Sequence, residues 1–102
     1  ALGKNIYLIL KGAHSLVASP DSSISINPTG NPGLATGGSG DVLTGIVAGF
    51  LAQDLDAKSS CIAACYVHGM ASDLLAEKTG QRSIIAGDLL DTLPTIINRI
   101  SP

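Results

Sequence analysis

Apolar and polar positions change rhythm once along this chain, at the start of its second half. Ile6-Tyr-Leu-Ile-Leu10 is continuously apolar and stops at Lys11-Gly12, the pattern of a strand buried on both faces and ended by a glycine turn. Leu16-Val17-Ala18 resumes strand character, Ser19-Pro20-Asp21-Ser22 breaks it, and Ser23-Ile24-Ser25-Ile26 alternates polar with apolar. These predict a hairpin-like β section closed by the turn Asn27-Pro28-Thr29-Gly30. Beyond it the period becomes helical. Gly40 to Gln53 predicts a helix with Val42, Ile46, Val47 and Phe50 inward. Asp56 can cap a second, from about Ala57 to Lys78, with Ile62, Cys65, Tyr66, Met70, Leu74 and Leu75 as its apolar stripe and Gly80 as its stop. Small residues Ala63, Ala64, Gly69 and Ala71 would let another helix approach closely. Gln81 to Ile85 reads as a loop, Ala86 to Leu93 as a third short helix, and Pro94 as the start of a fourth reaching about Ile100. Strands first and three to four helices after give an α/β chain. So few strands cannot cover these helices on both faces, and one hydrophobic face is expected to stay exposed.

Between the two halves lies Asn31-Pro-Gly-Leu-Ala-Thr-Gly-Gly-Ser-Gly-Asp41, with Gly33, Gly37, Gly38 and Gly40 crowded into one loop that opens directly onto a helix. Glycines let a backbone take positive φ and approach a ligand, and the first helical turn carries amide hydrogens with no partner in the chain. Together they form an anion site. Ser39 suits the N-cap and Asp41 falls in the first turn, where the helix dipole favours a carboxylate. A capping pair and nothing more is the plain alternative, although a cap alone does not need four glycines. A Walker loop would have Lys-Ser/Thr after its last glycine, where Asp41-Val42 stands, and a dinucleotide fingerprint would have glycine at position 43, where Leu43 stands.

Composition narrows the classes. With 102 residues the chain is at most one small domain, burying about two-thirds of its unfolded surface. A net charge of -2 offers no basic field for nucleic acid. No run approaches the length of a membrane helix, and Ala1 to Asn5 do not read as a secretory signal, so a cytoplasmic chain is expected. Charged residues make up only 14 % against 45 % apolar, which suggests another surface to cover. Cys61, Cys65 and His68 follow a helical spacing, yet three ligands on one helix do not complete a zinc site, and small buried side chains on a helix seam are the simpler reading. A disulfide is not expected in a reducing compartment.

The stretch Asn31-Pro-Gly-Leu-Ala-Thr-Gly-Gly-Ser-Gly-Asp-Val-Leu-Thr-Gly45 resembles the signature of the ADP/ATP-dependent NAD(P)H-hydrate dehydratases, a branch of the ribokinase-like superfamily marked by a Gly-X-Gly-Asp turn. Lys11-Gly-Ala-His-Ser15, after its apolar strand, resembles that branch's second nucleotide-contacting motif. The resemblance spans essentially the whole chain but only the C-terminal part of the family's catalytic domain. It implies that residues 1–102 are a C-terminal fragment of a ribokinase-like domain.

What the resemblance implies is nucleotide-dependent dehydration of the S epimer of hydrated NADH or NADPH. ADP or ATP would donate a phosphoryl group, with Mg2+, leaving AMP or ADP and phosphate. Asp41 would be the base. Lys11, Gly12, Ala13, His14, Ser15, Asn31, Thr36, Gly37, Gly38, Ser39 and Gly40 would approach the nucleotide. Lys11 could instead be a solvated strand-end lysine, His14 could pack at its turn, and Thr29 and Asn31 could be turn residues beside Pro28 and Pro32. Arg82 and Asp88 read as surface. No ligand cluster for Mg2+ is visible, since Asp41 alone cannot make a metal site. Two other readings remain: a ribokinase-like small-molecule kinase of the hydroxymethylpyrimidine or thiazole type, and a non-catalytic nucleotide-binding module. The isolated chain is expected to lack turnover and to self-associate as a homo-oligomer through its uncovered face.

Overall fold

The computed structural model describes residues 6–11, 14–31, 38–79 and 86–100. Three short strands, β1 (Leu8–Leu10), β2 (Leu16–Ala18) and β3 (Ile24–Ile26), precede three helices, α1 (Ser39–Ala52), α2 (Ala57–Thr79) and α3 (Ala86–Ile100). The strands form an antiparallel sheet in sequence order. Its register places Ile9, Val17 and Ser25 in one row, flanked by the rows Leu8-Ala18-Ile24 and Leu10-Leu16-Ile26 on the opposite face. The first row turns toward the helices, with Val17 2 % exposed. Among the described residues the opposite face is open: Leu10 is 50 %, Ile24 65 % and Ile26 69 % exposed. The Ile6–Leu10 run is therefore not buried on both faces as its continuous apolar character predicts, because none of the described residues forms a layer on the sheet's far side.

The long helix α2 is the centre of the fold. It packs against α1, α3 and β2, and α1 also touches α3. Its inward faces are lined by small side chains: Ala64, Cys65, Val67, Ala71, Ser60 and Ser72 are buried, while Ile62 and Tyr66 are 36 % and 39 % exposed. Of the expected stripe, Cys65 is buried and Met70, Leu74 and Leu75 pack against the core, while Ile62 and Tyr66 do not. A helix with neighbours on several sides needs small side chains where backbones approach, as Ala64 and Ala71 provide here.

α1 buries Val42, Leu43 and Ile46, with Val47 and Phe50 packed against the core. It ends where Asp54 takes a left-handed φ of 66° and its amide bonds the Leu51 carbonyl at 3.1 Å. Asp56 caps α2 as its position suggests, its carboxylate accepting from the Ser59 amide at 2.7 Å. Two short helices expected around Pro94 are one continuous helix. Proline removes a bond to the carbonyl of Leu90, and because both Leu90 and Pro94 sit on the exposed side, water can take the place of that bond. Leu89 and Ile96 are fully buried, with Leu93 and Ile97 beside them, an apolar stripe at helical spacing.

Candidate functional site

The first turn of α1 is the centre of the site. Gly38 stands at its N-cap with φ 85° and ψ -8°, a left-handed conformation in which a side chain would be strained. No side-chain cap bond is made there. Ser39 is thus the first helical residue and not the cap. The first intrahelical bond runs from the Val42 amide to the Gly38 carbonyl at 3.2 Å. Helix geometry leaves the amides of Ser39, Gly40 and Asp41 without an acceptor inside the helix. Asp41 is exposed in that turn.

Lys11 reaches the same place from the end of β1. A Cβ built on Gly40 would stand 2.9 Å from its Nζ, so the ammonium lies directly over a glycine that leaves room for it. Two motifs separated by a hairpin and a loop thus converge, with a cation over a helix N-terminus and a carboxylate in the same turn.

His68, from the middle of α2, closes the site from behind. Its Nε2 lies 3.0 Å from the Ser39 carbonyl and 3.1 Å from the Ser39 hydroxyl. A carbonyl can only accept, which puts a hydrogen on Nε2 and makes it the donor. The ring is 3 % exposed. Burial holds its pKa below the usual histidine value, the bond to the Ser39 backbone opposes that shift, and the nearby Lys11 charge adds to it. His68 entered the sequence reading only as a third zinc ligand. Its contact with Ser39 spans 29 residues, and no local spacing signals it.

The segment leading into the glycine loop is fastened to the same helix. Asn27 Nδ2 donates to the Cys65 carbonyl at 2.9 Å and Thr29 Oγ1 to the Tyr66 carbonyl at 3.1 Å. Asp73 accepts from the Gly30 amide at 3.0 Å and from Asn31 Nδ2 at 2.9 Å. Gly69 permits this approach: a Cβ there would meet the Thr29 carbonyl carbon at 2.7 Å. Of the other expected contacts, His14 is exposed and Ser15 half-buried, its carbonyl accepting from the Asn27 amide at 2.8 Å. Gly12, Ala13, Thr36 and Gly37 lie outside the described residues, as does Arg82.

An apolar groove of about 500 Å³ runs between α1 and α3 from Asp41 past Gly45, Ile46 and Phe50 to Leu93 and Ile97. Among the described residues no group of three or more His, Cys, Asp or Glu side chains could hold a metal ion. Cys61 and Cys65 are free and buried, and burial together with the neighbouring Cys61 pushes the Cys65 thiol up to about 11. No helix among the described residues is long and apolar enough to cross a membrane.

A left-handed glycine at a helix N-terminus, a lysine over the first turn and an acid within it meet at one place. A solved ribokinase-like superfamily protein from Enterococcus faecalis superposes with a TM-score of 0.75 at 36 % identity, over 91 % of this chain and 32 % of that one. The family profile described as NAD(P)H-hydrate dehydratase matches residues 4–95, and the chain belongs to that family. It is 52 % identical over 93 residues to the bifunctional NAD(P)H-hydrate repair enzyme Nnr of Moorella thermoacetica, a match covering 91 % of this chain and 18 % of the relative. The ADP/ATP-dependent NAD(P)H-hydrate dehydratase of Bacillus subtilis, co-crystallized with ATP/Mg2+, superposes with a TM-score of 0.89 at 37 % identity, over 93 % of this chain and 34 % of that one. The chain therefore spans about a third of that solved relative and under a fifth of the bifunctional one.

Proposed function

We propose that this chain supplies the nucleotide-binding C-terminal part of an ADP/ATP-dependent (S)-NAD(P)H-hydrate dehydratase, an enzyme that returns hydrated NADH or NADPH to the usable cofactor. The observation that carries the reading is the convergence of Lys11 on Gly40, which sets a positive charge beside the helix turn whose amides have no acceptor within the helix. Phosphoryl transfer depends chiefly on positioning and on charge stabilisation, and these groups provide both. The amides of Ser39, Gly40 and Asp41 and the ammonium of Lys11 would hold the transferring phosphate. Asp41 would take the proton of the substrate hydroxyl as that oxygen attacks the terminal phosphorus of ADP, releasing AMP. Loss of the phosphate so attached then restores the nicotinamide ring. With ATP the nucleotide product is ADP.

Mg2+ would arrive on the nucleotide phosphates and neutralise their charge. Asp41, the acidic residue of the first turn of α1, would face that ion through its water shell, since Mg2+ keeps most of its water. The remaining substrate contacts would come from the larger part of the relatives' domain that this chain does not span. The same reading places the protein in the cytoplasm, where its buried cysteines stay reduced. It also has the apolar sheet face covered, in the isolated chain by a second copy.

The test uses the full-length protein that carries this chain. Incubation with hydrated NADH and ADP should restore the absorbance of reduced nicotinamide, and Asp41→Asn should bind ADP normally while losing most turnover. No restoration with ADP or ATP overturns the dehydratase reading. Phosphate retained on the product would identify a small-molecule kinase instead, and an unchanged rate in Asp41→Asn removes Asp41 from the role of base.

A further inference from the structure

Two anchors on α2 hold the backbone on either side of the glycine loop. His68 grips the first residue of α1, and Asp73 grips Gly30 and Asn31. Five residues apart on one helix, they are separated by about 7.5 Å of axial rise. Asp73 is half-buried and spends one oxygen on each of its two donors, the Gly30 amide at 3.0 Å and the Asn31 side-chain amide at 2.9 Å. Gly30 has a φ of 113°, open to glycine and poorly tolerated by other residues, so the chain bends here in a conformation that needs holding. Thr29, immediately before, is pressed onto Gly69 and bonded to the Tyr66 carbonyl.

We infer that Asp73 is a positioning residue for the nucleotide site, and that Asn31 serves that site through Asp73 and not by touching the nucleotide. A family signature that begins at an asparagine invites a direct contact for its amide. The geometry commits one N–H of that amide to a carboxylate on α2. What the pair sets is the place from which the chain departs toward Gly38, while His68 sets the place where it arrives. The distance between the two is a property of α2, so the amides of the first α1 turn are presented already in position.

This inference rests on the nucleotide reading above, and exchanging the pair separates the two. Asp73→Asn alone keeps an oxygen for one of its two donors and turns an NH2 group toward the other, and Asn31→Asp alone sets two carboxylates against each other. The double variant Asn31→Asp/Asp73→Asn keeps both bonds: Gly30 donates to the new amide oxygen, and the new amide nitrogen donates to the new carboxylate. ADP affinity by titration calorimetry, KM and kcat with hydrated NADH, and thermal unfolding are measured for all four full-length proteins. Each single variant should weaken ADP binding about tenfold or more, the factor for losing one hydrogen bond to a charged group, and the double variant should recover most of it. If the double variant regains thermal stability yet binds ADP as weakly as Asn31→Asp, the asparagine touches the nucleotide itself and the inference is overturned. Unchanged affinity in both single variants overturns it equally. A wild-type protein that binds no ADP overturns the nucleotide reading, and this inference with it.

Discussion

The ring nitrogen Nε2 of His68 lies 3.0 Å from the carbonyl oxygen of Ser39, so a buried imidazole on the central helix holds the first residue of α1. The contact joins the core to the site and makes both sensitive to one proton. In the neutral ring Nε2 donates. A second proton would put a charge into a buried position near Lys11.

The sign of that sensitivity follows from the direction of the shift. His68 titrates below the usual 6.5 in the folded protein, so under acid conditions the unfolded chain binds more protons there than the folded one. The contribution of His68 to stability is complete above 6.5 and is lost as pH falls below that value toward the folded pKa. Urea unfolding across this range should show stability declining with acid, and His68→Gln should flatten the decline. Equal slopes in both proteins would assign the acid sensitivity to other groups.

Two glycines of the helices should respond oppositely to the same substitution. Gly69→Ala drives a Cβ into the Thr29 backbone and should destabilise by about 1–3 kcal/mol, the usual range for overpacking. Gly49→Ala meets nothing within 4 Å and should stabilise α1 by about 0.5–1 kcal/mol in the 102-residue chain. Thermal melts of both variants check the pair. In a longer protein, loss of the Gly49→Ala gain would report that another layer rests against the α1–α3 groove.

Lys11→Met keeps most of the side chain's apolar stem and removes the charge over Gly40. Nucleotide binding by the full-length protein should weaken about tenfold or more, and its decline with added salt should become shallower. Isothermal titration with ADP at two ionic strengths measures both effects. Affinity equal to wild type would make Lys11 the solvated strand-end lysine of the plainer reading.

Neither cysteine should react readily with alkylating reagents in the folded state. Burial raises the Cys61 thiol, and Cys65 is pushed to about 11, so little thiolate exists near neutral pH. Iodoacetamide labelling followed by mass spectrometry should be slow in buffer and fast in urea. Rapid labelling in buffer would mean that α2 opens locally.

Much of this was legible from residue pattern, because strands and helix starts are written in neighbouring residues. The hairpin breaks at Ser19–Ser22, Asp56 caps α2, and Gly38 to Asp41 open α1, each from local chemistry. The resemblance carried by Asn31 to Gly45 named the family that residues 4–95 match. The inward face of α2 was legible in part: Cys65, Ala64 and Ala71 are buried as expected, but Ile62 and Tyr66 are not. Burial there follows from having α1, α3 and β2 as neighbours, and Ala64 and Ala71 give less local signal than Ile62 or Tyr66. Pro94 reads as a helix start in isolation and is tolerated inside α3 because its side faces solvent. His68 and Asp73 escaped notice for a different reason. Their partners, Ser39 and Gly30-Asn31, are 29 and more than 40 residues away, and only the packed helix brings them together.

The outermost strand has a consequence of its own. Ile24 and Ile26 face outward on β3, whose free side pairs with nothing among the described residues, and from Ser22 to Asn31 the chain carries no charge. Charges and bulges normally guard such margins against the growth of a sheet from one molecule into the next. Here Lys58, whose ammonium donates to Ser23 Oγ at 3.1 Å, and Pro28 are the guards at either end of β3, and losing the Lys58 charge would leave this edge open to stacking between copies of the isolated chain.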